Sequence, residues 1–264
     1  MSVQEGTIRP AEAPKPPSSA GRSNVARVRT VVVKELRDYR RNRFIAGTMA
    51  VLPILFMVAP LAVVFRLPAN EPASKLNAGI GLSLLYLTLI PALVPAVVSS
   101  YAIVGEREQG TLEPVLTTPL RREELLLGKA LAAYLPTLVI SYTMYGLFLL
   151  LAGLFAHPNV ADDIFQTGRI LAQVLFTPLL AAWSIWAGIA ISTRTSDVRV
   201  SQQLSTLVSL PPLGVTALMG FGVITPTLTL ALILGAALLV IDLAAWRLVS
   251  TIFDRERLIT GSKA

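Results

Sequence analysis

The sequence has no cysteine, a single histidine and few charges, only 15% of its residues. Without cysteine there is no disulfide framework and no thiolate metal site. A soluble domain carries about 25% charged residues, so this chain lacks the groups that keep a surface wet. It also lacks a phosphate loop of the form GxxxxGK followed by Ser or Thr. Gly128 and Lys129 are followed by Ala130, and they stand at the start of an apolar run rather than after a strand. The chain is therefore read as non-catalytic, with no cofactor of its own, and any ATP chemistry must come from a partner. The lone histidine, His157, sits beside Pro158 in a short loop, with Asp162 and Asp163 nearby. That is a weak cation site at best, and no metal centre is expected.

What the chain does have is long apolar runs. Of its 264 residues 53% are hydrophobic, clustered in stretches of about 20 or more, enough to cross a hydrocarbon core about 30 Å thick. The runs do not alternate apolar with polar residues as barrel strands do. The expected fold is an all-α membrane protein with six transmembrane helices, at about 44–65, 80–104, 125–155, 170–192, 200–221 and 226–249. These form a membrane domain over 44–249, followed by a tail at 250–264. Residues 1–23 are rich in Pro, Ser, Ala and Glu and read as a disordered tail, with no cleaved signal peptide. There is no sequence repeat.

The lysines and arginines fall on one side of this topology. Of 23, only Arg66, Lys75 and Arg169 lie in loops on the opposite side. That bias puts both termini and the 105–129 loop in the cytoplasm of a cell membrane and favours an even number of spans. It also accounts for the net charge of +7 without nucleic acid as a partner. Residues 24–43 read as an amphipathic helix. Val25, Val28, Val32, Leu36 and Tyr39 fall on one stripe, while Arg27, Lys34, Arg37, Arg41 and Arg43 occupy the rest. Such a helix is expected to lie in the interface, with its stripe in the acyl boundary and its basic residues as anchors at lipid phosphates.

Within the spans, prolines are frequent: Pro53, Pro60, Pro91, Pro95, Pro136, Pro178, Pro211 and Pro212. Each frees a backbone carbonyl and bends its helix. The adjacent pair Pro211 and Pro212 is the hinge candidate. Buried charge is rare, and Asp242 is the exception, about one turn from Arg247. An interfacial ion pair or hydrogen bond is the expected role, with a cavity-lining or coupling role as the alternative. So few intramembrane charges argue against an ion-driven carrier and for a hydrophobic or amphipathic cargo. Tyr86, Tyr134, Tyr142, Tyr145, Met144, Trp183, Trp186 and Met219 either line its path or belong to interfacial belts.

The loop between the second and third runs reads GEREQGTLEPVLTTPLRREELLLGK, residues 105–129. Glu106, Arg107 and Glu108 are expected to extend the second span past the headgroups. Thr111 is placed to cap a short helix, with Glu113 and Pro114 in its first turn. Thr118 and Pro119 are placed to open the helix that runs into the third span. The product is a helical elbow tethered at both ends to membrane helices.

This loop resembles the cytoplasmic loop of ABC transporter permeases of the type-2 exporter class. The likeness rests on Glu106, Arg107, Glu108, Gly110, Thr111, Leu112, Glu113, Pro114, Leu116, Thr118 and Pro119, then Glu124, Leu125, Leu126, Gly128 and Lys129. Val115 stands where the family often has leucine. The basic helix, the six spans and the C-terminal FDRERLITG are also similar, so the resemblance covers about residues 25–262. It implies a permease subunit that pairs with a second permease, identical or not, and docks on two copies of a separate ABC ATPase that binds the ATP. It further implies that Glu106, Arg107, Gly110, Thr111, Leu112, Glu113 and Leu116 form the coupling contact, with Arg194, Asp197 and Arg199 as a second one. Two other readings stand beside it: a secondary carrier or channel without an ATPase, and a membrane scaffold.

Overall fold

In a computed structural model, residues 24–110, 120–221, 223 and 228–252 are described. All regular structure among them is helical. The elements are α1 (Asn24–Arg41), α2 (Arg43–Arg66), α3 (Ala73–Ser100), α4 (Val104–Glu108), α5 (Arg122–Phe155), α6 (Pro158–Ile164), α7 (Thr167–Arg194), α8 (Val198–Gly220) and α9 (Leu228–Ile252).

Five stretches are long and apolar enough to cross a membrane: Arg43–Arg66, Ala73–Glu108, Arg122–Phe155, Thr167–Arg194 and Thr229–Thr251. They correspond to five of the six expected spans. The other, α8, has the position and the length but is not among them. Its sequence explains why: Arg199, Gln202, Gln203, Pro211 and Pro212 lower its mean hydropathy, together with Ser201, Ser205 and Ser209, which are each fully buried at four-residue spacing. Its outward side shows Leu204, Leu207, Leu210 and Leu218. The same outward display of Val, Leu and Ile recurs on α2, α5 and α9.

Three differences from the sequence reading have local causes. The second span begins at Ala73 rather than residue 80, because its first turns sit on the α2–α3 loop, where Leu67 fills the space beside Gly79. The helix into the third span begins at Arg122 rather than Pro119. There the backbone N–H of Arg121 donates to Glu124 Oε2 at 2.9 Å, while Thr118 and Pro119, expected to open this helix, lie outside the described residues. The third loop contains a helix of its own, α6, opened by His157, whose carbonyl accepts from the N–H groups of Val160 and Ala161.

The 34 residues of α5 span roughly 51 Å at 1.5 Å per residue, well beyond a bilayer core of about 30 Å. Helix α1 packs on its first turns. Val31, Val32 and Tyr39 share a buried cluster with Leu125, Leu126, Ala130 and Ala133. The stripe of α1, expected to face acyl chains, thus packs on the protein. Val28 and Leu36 lean on the same cluster, and Val25 stays exposed. The approach is close because Gly128 offers no side chain: a Cβ there would lie 2.5 Å from Val31 Cγ1 and 2.6 Å from Val31 Cβ.

At the opposite end, Arg169 of α7 reaches Asp163 of α6 at 2.7 Å and Asn77 of α3 at 2.6 Å. Asp163 is thereby engaged by Arg169 rather than left for a cation beside His157.

Candidate functional site

The charged ends of α1, α4 and α5 meet in a closed ring. Lys129 Nζ lies 3.0 Å from Glu35 Oε1 and 2.9 Å from Glu106 Oε1. Lys34 Nζ lies 3.1 Å from the same Glu35 oxygen and 2.8 Å from the same Glu106 oxygen. Lys34 also reaches Asp38 at 3.4 Å. Lys129 is 1% exposed, and Glu35 and Glu106 are buried with it. Charges taken out of water are tolerated only when paired and hydrogen-bonded. The alternation of two ammonium groups and two carboxylates meets that demand. Each helix supplies a member the others need: α1 gives Lys34 and Glu35, α4 gives Glu106, and α5 gives Lys129.

The electrostatics follow from this arrangement. Burial pushes the Glu35 carboxyl up, but Lys129 and Lys34 beside it outweigh burial and hold it below the usual range. Burial pulls Lys34 down, and Glu35 and Glu106 outweigh that, leaving it raised. Burial, followed by the carboxylates of Glu35, Glu106 and Asp38, pushes the Tyr39 phenol well up.

The other face of α4 is tied to α7 and α8. Arg107 Nη1 donates to the Thr195 carbonyl at 2.9 Å. Glu108 Oε1 accepts from the Val198 N–H at 3.1 Å, at the start of α8. Just before α4 the chain leaves helix, and Ser192 Oγ accepts from the N–H groups of Ile103 and Val104, both at 3.0 Å, while donating to the Ser100 carbonyl at 2.8 Å. Ser192→Ala removes the partner of two buried N–H groups, at about 1–3 kcal/mol for an unsatisfied buried group. The expected result is a lower thermal midpoint in detergent. An unchanged midpoint would show that the break before α4 is held by something else. After α4 the chain turns at Gly110, whose φ of +68° favours glycine.

The expected site residues thus divide. Glu106 and Arg107 point into the protein, one toward α1 and α5, the other toward the α7–α8 turn. Gly110 makes the turn that leads away. Thr111, Leu112, Glu113 and Leu116 lie outside the described residues, as does the expected Thr111 cap. Arg194, Asp197 and Arg199 are exposed at the α7–α8 turn, where Asp197 Oδ1 caps α8 by accepting from the N–H groups of Arg199 and Val200 at 2.7 and 3.1 Å. Of the α1 residues expected to hold lipid phosphates, Lys34 belongs to the ring, and Arg27 stands 3.4 Å from Glu124. Arg37, Arg41 and Arg43 are exposed. Helix α8 runs through Pro211 and Pro212 without interruption. Asp242 is 5% exposed, and both its carboxylate oxygens are buried without a hydrogen-bond partner among the described residues. The ion pair or hydrogen bond expected of it is thus not found among the described residues, and Arg247 is exposed.

Glu35 is the site residue the sequence reading missed. Its signal was available: an acid three residues after Val32 and four before Tyr39 lies on the apolar stripe. An acid on a buried stripe calls for a buried cation, and Lys129 opens the third apolar run.

Residues 29–253 match the family described as ABC-2 family transporter protein. The chain belongs to this family. One curated relative, the "Probable ABC transporter permease protein NosY" of Pseudomonas aeruginosa, is 27% identical over 183 residues, covering 68% of this chain and 60% of the relative. The chain thus spans about 60% of the length of the curated relative it matches. Family and long apolar helices together make this ABC-2 chain a multi-pass membrane protein of permease type. The ring and the α4 ties therefore stand at the loop whose sequence resembles the family's cytoplasmic elbow.

Proposed function

We propose that the chain is the transmembrane permease subunit of an ATP-binding-cassette exporter. It has six spans, α8 completing the set through its apolar outer face, with both termini in the cytoplasm. Two such subunits, or one and a paralogue, dock on two ATPase subunits that bind and hydrolyse ATP. The single observation that carries this reading is the two-sided attachment of α4. A push entering the 105–129 loop reaches α1 and α5 through Glu106, and α7 and α8 through Arg107 and Glu108. Packed and ion-paired elements of this kind move as rigid bodies.

In this reading the direct ATPase contact falls to Gly110, Thr111, Leu112, Glu113 and Leu116, with Arg194, Asp197 and Arg199 adding a second contact. Glu106 and Arg107 transmit rather than touch. The cargo is hydrophobic or amphipathic, in keeping with the scarcity of charge within the spans.

Two substitutions separate the roles. Leu112→Asp is expected to abolish association with the ATPase while leaving membrane insertion intact. Glu106→Gln is expected to keep association but to lose cargo-stimulated ATP hydrolysis. Normal association and normal stimulation in both variants would refute the coupling assignment.

A further inference from the structure

Beside the charge ring lies a cleft of about 510 Å³ between the α1–α2 elbow and the α3–α4 segment. Asp38, Tyr39 and Arg41 of α1 line it, with Ile45 of α2, Tyr101 and Glu106. Three of its features point to a ligand. First, charges of both signs line it together. The Asp38 carboxylate is half exposed and paired with Lys34 at 3.4 Å, and Arg41 is exposed. Second, Tyr39 is 6% exposed, and its buried hydroxyl has no hydrogen-bond partner among the described residues. Buried hydroxyls are nearly always satisfied, so an orphan in the wall of a cleft marks a place for a polar group. Third, the rim is apolar. Ile45 and Tyr101 line it, and the Tyr101 ring lies 5.7 Å from that of Phe44. The chain switches here from Arg41 and Arg43 to the apolar run beginning at Phe44. That is the depth at which headgroups meet acyl chains.

We infer that this cleft binds the headgroup of a phospholipid carrying a primary ammonium, of the phosphatidylethanolamine type. The phosphate takes the exposed Arg41 guanidinium as donor. The ammonium has three N–H donors and shares them between the Asp38 carboxylate and the Tyr39 hydroxyl oxygen, where the carboxylates of Glu35 and Glu106 also favour a cation. The glycerol end leaves past Ile45 and Tyr101 toward the acyl layer. A choline headgroup offers no N–H to Asp38, and a glycerol headgroup offers no cation. The inference rests on the reading that α2 crosses the membrane with Arg43 at the headgroup level. It names a specific lipid site where that reading requires only a generic surface.

The test uses the purified full-length chain in detergent, challenged with equal amounts of phosphatidylethanolamine, phosphatidylcholine and phosphatidylglycerol, with bound lipid read by native mass spectrometry. Retention of the ethanolamine lipid about tenfold above either competitor is expected, as one or two extra hydrogen bonds provide. Tyr39→Phe, which keeps the ring in its packing, and Asp38→Asn, at a half-exposed position, should each reduce that preference several-fold without lowering the thermal midpoint. Equal retention of the three lipids overturns the inference, as does a preference that survives both substitutions. Retention of soluble phosphoethanolamine in place of the lipid also overturns it, as does occlusion of the cleft only when an ATPase partner is added. Insertion of the chain into liposomes, measured separately, reports on the membrane reading, so failure of one is distinct from failure of the other.

Discussion

Lys129→Met should be the most damaging single substitution at the charged end of the bundle. It removes a fully buried ammonium that Glu35 and Glu106 share, at 3.0 and 2.9 Å. Methionine fills much the same volume, so packing is largely preserved and the loss is electrostatic. Two buried carboxylates then face each other with Lys34 alone between them. Breaking a buried pair by deleting one partner costs about 3–5 kcal/mol, a large share of the total for a marginally stable fold. The expected result is loss of the monodisperse species after detergent extraction, or a thermal midpoint lowered by many degrees. Lys129→Met combined with Glu35→Gln removes one charge of each sign and should recover part of the loss. A double variant no better than the single would show that the ring's charges are not coupled.

The same ring sets a pH window. Glu35 is held low by Lys129 and Lys34 against the opposing effect of burial. Its contribution to stability is full above the ordinary carboxylate range and is lost as pH falls through its lowered value. Lys34 is raised by Glu35 and Glu106 against burial. Its contribution is full below the ordinary lysine range and is lost as pH climbs through its raised value. A thermal midpoint that is flat between those limits and falls outside them is expected, with the acid-side fall diminished in Glu35→Gln.

Gly128→Ala carries the second large effect, for a steric reason. The added Cβ would sit 2.6 Å from Val31 Cβ and 2.5 Å from Val31 Cγ1, with the Val28 carbonyl at 3.4 Å. Valine is branched at Cβ and stiff in its rotamer, so it cannot swing aside, and α1 must lift from α5. Overpacking of this kind costs about 1–3 kcal/mol. Lifting α1 also stretches the contacts of Lys34 and Glu35 across the ring. The expected readout is a lowered midpoint together with weaker coupling of ATP hydrolysis to cargo. Val31→Gly in the same chain should restore part of both, because it removes the Cβ and Cγ atoms that the added methyl group meets. A tolerated Gly128→Ala would mean that α1 is not held against α5 at this distance.

The helical class and the five long apolar helices are legible in the sequence because they rest on a local signal, a run of apolar residues. The ring is less so. Glu106 and Lys129 stand in the motif, yet nothing within the loop says that they meet each other or that Glu35 joins them, 94 residues from Lys129. That pairing depends on α1 packing on α5 rather than facing acyl chains, which a stripe alone does not decide. In α8, expected as a span at 200–221, Ser201, Ser205 and Ser209 turn inward, and Ser205 lies 3.1 Å from Ser100 on α3. Small hydroxylated residues at such contacts let helices approach closely. Gly188 does the same between α3 and α7, where an added Cβ would lie 1.9 Å from Ser99 Oγ.

The central claim is that this ABC-2 chain is driven by a separate ATPase seated on the 105–129 loop. Its most direct test is purification of the tagged chain from its native membrane, with identification of the proteins that accompany it. The account predicts a stoichiometric partner bearing a phosphate-loop ATPase sequence, present with the native chain and with Glu106→Gln, and absent with Leu112→Asp. Recovery of the chain alone, or only with copies of itself, would contradict it and return the carrier and scaffold readings to the front.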